Sequence, residues 1–146
     1  MNLKEVHILL VEDNPADIRL TQEALEESKL FCKLSTVYDG EAAMEFLRRE
    51  GQFKNETRPD LIILDLNLPK KDGREVLREI KKDENLKSIP VVILTMSKSD
   101  EDTMMAYNLY ANCYITKPLD FNQFIKVVKS IQDFWFTIVK LPPCQD

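Results

Sequence analysis

Asp65 ends the run Leu61-Ile62-Ile63-Leu64, large aliphatics that follow Pro59 and Asp60. Such a run reads as a strand covered on both faces, as in a parallel sheet. A carboxylate does not stay charged in that interior, so Asp65 belongs where the strand surfaces, at its carboxyl end. Open α/β sheets place their ligands along that edge. Other apolar runs end in the same way: Val6-His7-Ile8-Leu9-Leu10-Val11 in Glu12-Asp13, Val91-Val92-Ile93-Leu94 in Thr95, and Tyr114-Ile115 in Thr116-Lys117-Pro118. With these strands as parallel neighbours, the carboxylates of Glu12, Asp13 and Asp65, the Thr95 hydroxyl and the Lys117 amine converge on one mouth.

Carboxylates held together repel and raise one another's pKa unless a cation neutralises them. Magnesium suits such a mouth, because it takes few protein oxygens and leaves positions for water and phosphate. The set offers none of the His and Cys ligands that zinc prefers. Asp65 is then placed as a nucleophile toward a phosphoryl group. Magnesium would offset the repulsion between carboxylate and phosphate, and Lys117 would pair with a phosphate oxygen. The Thr95 hydroxyl can donate to another. His7, the single histidine, lies within the first apolar run and reads as structural.

The elements that position these groups alternate in type. Strands are expected over residues 6–11, 33–37, 60–65, 90–95 and 112–116, and helices over about 15–28, 40–50, 73–83, 101–110 and 120–139. Asn14 is a suitable cap for the first helix, Pro15 fits its first position, and Asp17 meets its positive end. Asp120 with Gln123 reads as a capping pair for the last helix. Gln52 to Arg58 reads as a polar loop of little structure. Alternation of this kind gives a doubly wound α/β fold with a five-stranded parallel sheet, and right-handed crossovers leave only the strand order open.

The 146 residues suffice for one domain with one core, and the reading is a single domain over 1–146 with a short tail from about residue 140 and no output module. A net charge of −5 argues against nucleic acid as the direct partner. No membrane span or secretory signal is visible. The three cysteines are scattered and odd in number, as expected of a reduced cytoplasmic protein.

Leu10-Val11-Glu12-Asp13-Asn14, Leu64-Asp65-Leu66-Asn67-Leu68-Pro69, Asp72-Gly73, Ile93-Leu94-Thr95 and Tyr114-Ile115-Thr116-Lys117-Pro118, taken in order, resemble the receiver domain of two-component response regulators. The resemblance covers essentially the whole chain. It implies a flavodoxin-like fold of strand order 2-1-3-4-5 and phosphoryl transfer from a histidine kinase to Asp65. It also implies magnesium held by Glu12, Asp13, Asp65 and the Asn67 backbone carbonyl. In receivers the threonine hydroxyl moves toward the phosphoryl group and an aromatic side chain turns inward, which implies a switch made of Thr95 and Tyr114. A narrower likeness, carried by Arg58-Pro59-Asp60, by Asn67 through Leu77, and by Phe134-Trp135-Phe136 with Leu141-Pro142, is to phytochrome-associated single-domain regulators, implying a phytochrome-type kinase as partner.

Receivers commonly carry a small residue after the threonine, where this chain has Met96. The long thioether side chain beside the acceptor predicts slow self-dephosphorylation and poor reaction with small phosphodonors. In the last helix, Phe121, Phe124, Ile125, Val128, Ile131 and Trp135 form a stripe for the sheet, while Val127, Phe134 and Ile138 widen the apolar arc beyond one face. A homodimer through this helix and the neighbouring strand is the reading preferred over a larger core. The chain reads as a switch rather than a turnover enzyme. An aspartate-nucleophile phosphatase would need an acid where Asn67 stands, and a flavin carrier is opposed by Glu12-Asp13. The alternative is a phosphorylation-independent adaptor with a receiver fold.

Overall fold

Val6–Val11 form the first strand, β1, with every residue buried, as its unbroken apolar run requires. A computed structural model describes residues 5–117 and 120–133 of the chain. The other strands are β2 (Cys32–Val37), β3 (Leu61–Leu64), β4 (Val91–Thr95) and β5 (Cys113–Thr116). They form one sheet in the order β2-β1-β3-β4-β5, with every pairing parallel. The helices are α1 (Pro15–Ser28), α2 (Gly40–Arg48), α3 (Gly73–Lys82), α4 (Asp100–Asn108) and α5 (Phe121–Asp133). Among the described residues, no helix is long and apolar enough to cross a membrane.

The pleat divides each central strand between two cores. Ile8, Leu10, Ile63 and Leu94 pack with Ala24 and Leu25 of α1 and Phe124 and Val128 of α5. Leu9, Val11, Ile62, Leu64 and Ile93 pack with α2, α3 and α4 through Met44, Leu47, Val76, Leu77, Ile80 and Ala106. The helix starts are set by their caps. Asn14 Oδ1 accepts from the Ala16 and Asp17 amides at 2.9 and 3.2 Å. Asp120 accepts from the Gln123 amide at 2.7 Å while Gln123 accepts from the Asp120 amide at 3.1 Å, the expected reciprocal cap.

One helix end and one loop differ from expectation for local reasons. α2 ends at Arg48 because Arg49 turns left-handed, with φ 56°. The chain then makes a 3₁₀ turn over Gly51–Phe53, and Phe53 packs on Phe46 at 5.3 Å between ring centroids. The stretch from Gln52 to Arg58 is therefore partly pinned rather than structureless: Thr57 Oγ1 lies 3.0 Å from His7 Nδ1. In α5, Phe124 and Val128 are buried, whereas Phe121, expected to face the sheet, stands at the first position of the helix and is exposed.

His7 is structural, as expected. Its Nε2 lies 2.8 Å from Ser35 Oγ, and its ring edge meets Phe46 at 5.9 Å. Burial holds the imidazole below its ordinary 6.5, and the charge of Lys33 adds to the depression. The unfolded chain therefore takes up this proton more readily than the folded one. The contribution of neutral His7 to stability is present above 6.5, is lost as pH falls through that value, and levels off below the folded value. Denaturant midpoints are expected to fall as the medium is acidified across this window, and less in His7→Gln, which keeps a polar partner but cannot charge.

Candidate metal and phosphoryl site

Register brings the strand ends to one edge. Val11 is level with Leu64, Leu64 with Ile93, and Thr95 with Thr116. The residues that follow these positions must therefore meet. Past the strand ends the pairing continues, with the Asp65 amide donating to the Val11 carbonyl at 3.1 Å and the Lys117 amide to the Thr95 carbonyl at 2.7 Å.

Glu12, Asp13 and Asp65 each present a carboxylate oxygen, all within 4.8 Å of one another. Glu12 and Asp65 are buried and Asp13 is exposed, so the cluster opens on one side only. Hard oxygen donors of this kind fit magnesium or manganese, which keep waters on the open side. Lys117 is buried among the acids. Its Nζ donates to Glu12 Oε1 at 2.5 Å, Asp17 Oδ2 at 2.8 Å and Asp65 Oδ2 at 3.2 Å. Burial alone would depress the ammonium, but the hydrogen bonds to Asp17 and Glu12 and the charges of Glu12 and Asp65 outweigh it and raise its pKa. Burial pushes the Glu12 carboxyl up to about 7, with the Asp65 charge adding to the rise, although Lys117 pulls it down. Glu12, Asp13, Asp17 and Asp65 bring four carboxyl groups to the single Lys117 ammonium, and a divalent cation would offset the repulsion among them.

Asn67 is held to Asp65 by its amide, which donates to Asp65 Oδ1 at 3.0 Å. Its side-chain Nδ2 donates to Thr95 Oγ1 at 3.4 Å, and the Ser97 amide reaches the same hydroxyl at 3.4 Å. Thr95 is fully buried, while Met96, the next residue, is 64% exposed. Tyr114 is half-buried against the α2–α4 core, and its hydroxyl donates to the Ser97 carbonyl at 2.9 Å. The structure thus gathers Glu12, Asp13 and Asp65 in one cluster, bonds Glu12 and Asp65 of it to Lys117, and links Thr95, Asn67 and Tyr114 through one hydrogen-bonded loop. Of the residues expected at a dimer face, Val127 is half-buried, and Phe134 and Ile138 lie outside the described residues.

Sequence reasoning missed two features. Asp17 serves as a partner of Lys117 as well as a charge at the start of α1. Its place four residues after Asp13, in the first turn, is the signal that could have found it. Arg74 and Asp102, on α3 and α4, form a two-pronged ion pair beside the acceptor loop, at 2.7 and 2.6 Å. Arg74 holds the Asp102 carboxyl down to about 2, helped by a hydrogen bond from Ser97. Only the packing of α3 beside α4 brings these two together.

Residues 8–129 match the response regulator receiver domain. The chain belongs to this family. It is 52% identical to response regulator Rcp1 of Synechocystis sp. over 135 residues, 92% of each chain. Among solved structures, the phosphorylated cyanobacterial phytochrome response regulator RcpA superposes with a TM-score of 0.87 at 54% identity, covering 96% of this chain and all of that one. The Mn2+-bound form of Rcp1 gives a TM-score of 0.85 at 51% identity, covering 94% and 99%. The expected flavodoxin-like order 2-1-3-4-5 is observed. Receivers are two-component phosphoacceptor switches that bind a divalent metal, and the acidic cluster of this receiver has the donor chemistry for one.

Proposed function

We propose that this receiver accepts a phosphoryl group from a histidine kinase on Asp65, with magnesium held by Glu12, Asp13, Asp65 and the Asn67 carbonyl. The observation that carries this reading is that Asp65 is both a member of the acid cluster and a hydrogen-bond partner of the Lys117 ammonium. An Asp65 carboxylate oxygen forms a bond to phosphorus as the bond from phosphorus to the kinase imidazole nitrogen breaks, and the imidazole leaves with the electron pair. Magnesium supplies charge neutralisation between the carboxylate and the incoming phosphoryl oxygens. Lys117 remains charged and can exchange a carboxylate partner for a phosphoryl oxygen. Thr95 offers its hydroxyl to another oxygen. Intact mass after incubation with a phosphorylated kinase tests this: a phosphoryl adduct is expected with magnesium, and none after chelation.

The likeness to Rcp1 and to phytochrome response regulators supports a phytochrome-type kinase as the donor. Among the described residues, Cys32 and Cys113 are free, half-buried thiols, which is consistent with a reducing cytoplasmic setting. We assign the Thr95 hydroxyl and Tyr114 to the switch. The phosphoryl group shifts the conformational equilibrium only by its differential interaction with the two states, and Thr95 provides that difference. Thr95→Ala is therefore expected to remain phosphorylatable while its phosphorylated form loses roughly 5-fold or more of its preference for a partner over the unphosphorylated form. Equal partner affinity of phosphorylated Thr95→Ala and phosphorylated wild type would refute the assignment.

Output passes through surface contacts of the domain. The sequence spacing of Val127, Phe134 and Ile138 supports a homodimer through the last helix and the neighbouring strand, and sedimentation of Phe134→Lys beside wild type tests it: a dimeric wild type and a monomeric variant are expected. Slow self-dephosphorylation is inferred from the length of the Met96 side chain directly after Thr95, a side chain that is itself largely exposed to solvent. The Met96→Ala phosphoprotein should then decay faster than wild type.

A further inference from the structure

Arg74 makes more polar contacts across elements than the acceptor chemistry requires. Its Nη1 donates to the Leu66 carbonyl at 3.3 Å and to both Asp72 carboxylate oxygens at 3.1 Å. Its Nη2 reaches Asn67 Oδ1 at 3.5 Å. The same guanidinium grips both oxygens of Asp102 through Nε and Nη2. Asp102 in turn accepts from Ser97 Oγ at 2.6 Å, and the Ser97 carbonyl holds the Tyr114 hydroxyl. One side chain therefore joins the loop after β3 to the start of α4 and, through Ser97, to the loop after β4.

We propose that Arg74 is a positioning residue of the phosphoryl site, which clamps the Leu66–Asn67 loop to Ser97 through Asp102 and opposes the movement of Thr95 toward Asp65. The proposal rests on the assignment of Asp65 and Thr95 above. Its direction follows from the bonds. Thr95 Oγ1 accepts from both Asn67 Nδ2 and the Ser97 amide, so its travel toward Asp65 draws the Ser97 main chain with it. Ser97 is tied at both ends, its hydroxyl to Asp102 and its carbonyl to Tyr114. The Arg74–Asp102 pair is two-pronged and mostly shielded, at 26% and 13% side-chain exposure, so it is held more firmly than an ordinary surface pair. A planar guanidinium is needed to reach Asp102, Asp72 and Leu66 together, and a lysine ammonium in its place cannot bridge them.

Linkage makes the clamp measurable. A contact that favours the unphosphorylated arrangement weakens binding of a phosphoryl mimic by the factor with which it biases the equilibrium. The probe is beryllofluoride titrated calorimetrically at saturating magnesium, so that changes in metal affinity do not enter. Arg74→Gln and the near-isosteric Asp102→Asn are each expected to tighten beryllofluoride binding about 5- to 30-fold. The double variant should match the singles, because both remove one interaction. Arg74→Lys should fall between wild type and Arg74→Gln. A role confined to stability would lower unfolding midpoints without tightening the mimic. Unchanged or weakened binding in both Arg74→Gln and Asp102→Asn overturns the proposal. Failure of wild type to bind beryllofluoride, or equal binding by Asp65→Asn, overturns instead the acceptor assignment and the clamp with it.

Discussion

Asp65→Asn is expected to take up no phosphoryl group from a phosphorylated histidine kinase under conditions in which wild type is converted in full. The amide oxygen is not a nucleophile toward phosphorus, and no other carboxylate in the mouth is as well placed. Glu12 is buried and hydrogen-bonded to the Lys117 ammonium, and Asp13 faces solvent. The fold should survive. Asn keeps the shape of Asp, its oxygen can still accept from the Asn67 amide, and Lys117 retains Glu12 and Asp17. Asp65 also raises the Glu12 pKa through its charge, so its neutral replacement relieves the crowding. Stability unchanged or slightly increased, with magnesium affinity reduced, is the accompanying expectation. Intact mass measures the adduct, thermal unfolding the stability and calorimetry the metal. An adduct of undiminished yield on the Asn variant would move the acceptor to another residue.

Gly73→Ala is expected to destabilise the protein by about 1–3 kcal/mol or more, as overpacking against rigid atoms does, and to slow phosphoryl uptake. The Gly73 amide donates to the Leu66 carbonyl at 2.9 Å, which brings the first residue of α3 onto the acceptor loop. A Cβ there would overlap the Asp65 carbonyl oxygen and lie 2.6 Å from Leu66 Cα and 2.8 Å from the Leu66 carbonyl oxygen. Those are main-chain atoms and cannot swing aside. The loop must therefore move, carrying the Asp65 carboxylate with it, and a small displacement of a reacting group is costly in rate. Gly40→Ala is the informative comparison. Its Cβ would overlap the Lys71 carbonyl, another main-chain obstacle, but one that does not belong to Asp65 or its neighbours. It should lower stability with a smaller effect on uptake measured at a temperature where both variants are folded. Denaturant titration and phosphorylation time courses read the two effects, and a Gly73→Ala protein as stable and as fast as wild type would refute the steric argument.

The strand ends were legible in the chain because burial and charge are incompatible at short range. Leu61 to Leu64 can only be interior, so Asp65 can only be at an edge, and the same reasoning places Glu12, Thr95 and Lys117. Helix starts were legible for an equally local reason. Asn14 and Asp120 bond to amides two or three residues away, and such contacts do not depend on the rest of the fold. Where neighbouring packing decided an outcome, the local reading fell short. The stretch after α2 looks polar, yet Phe53 finds Phe46, and Thr57 finds His7, which lies fifty positions earlier.

By itself the sequence determined the alternation of elements, the fold class and the identities of the groups gathered at the mouth. These follow from periodicity, capping and the cost of burying charge, all of which act within a few residues. Only the tertiary structure decided how the groups are partnered. Lys117 is shared among Glu12, Asp17 and Asp65, and Arg74 is joined to Asp102 rather than left in solvent. Those pairings join residues from 28 to 105 positions apart. They are set by which helix lies beside which strand, information that no local window of the chain contains.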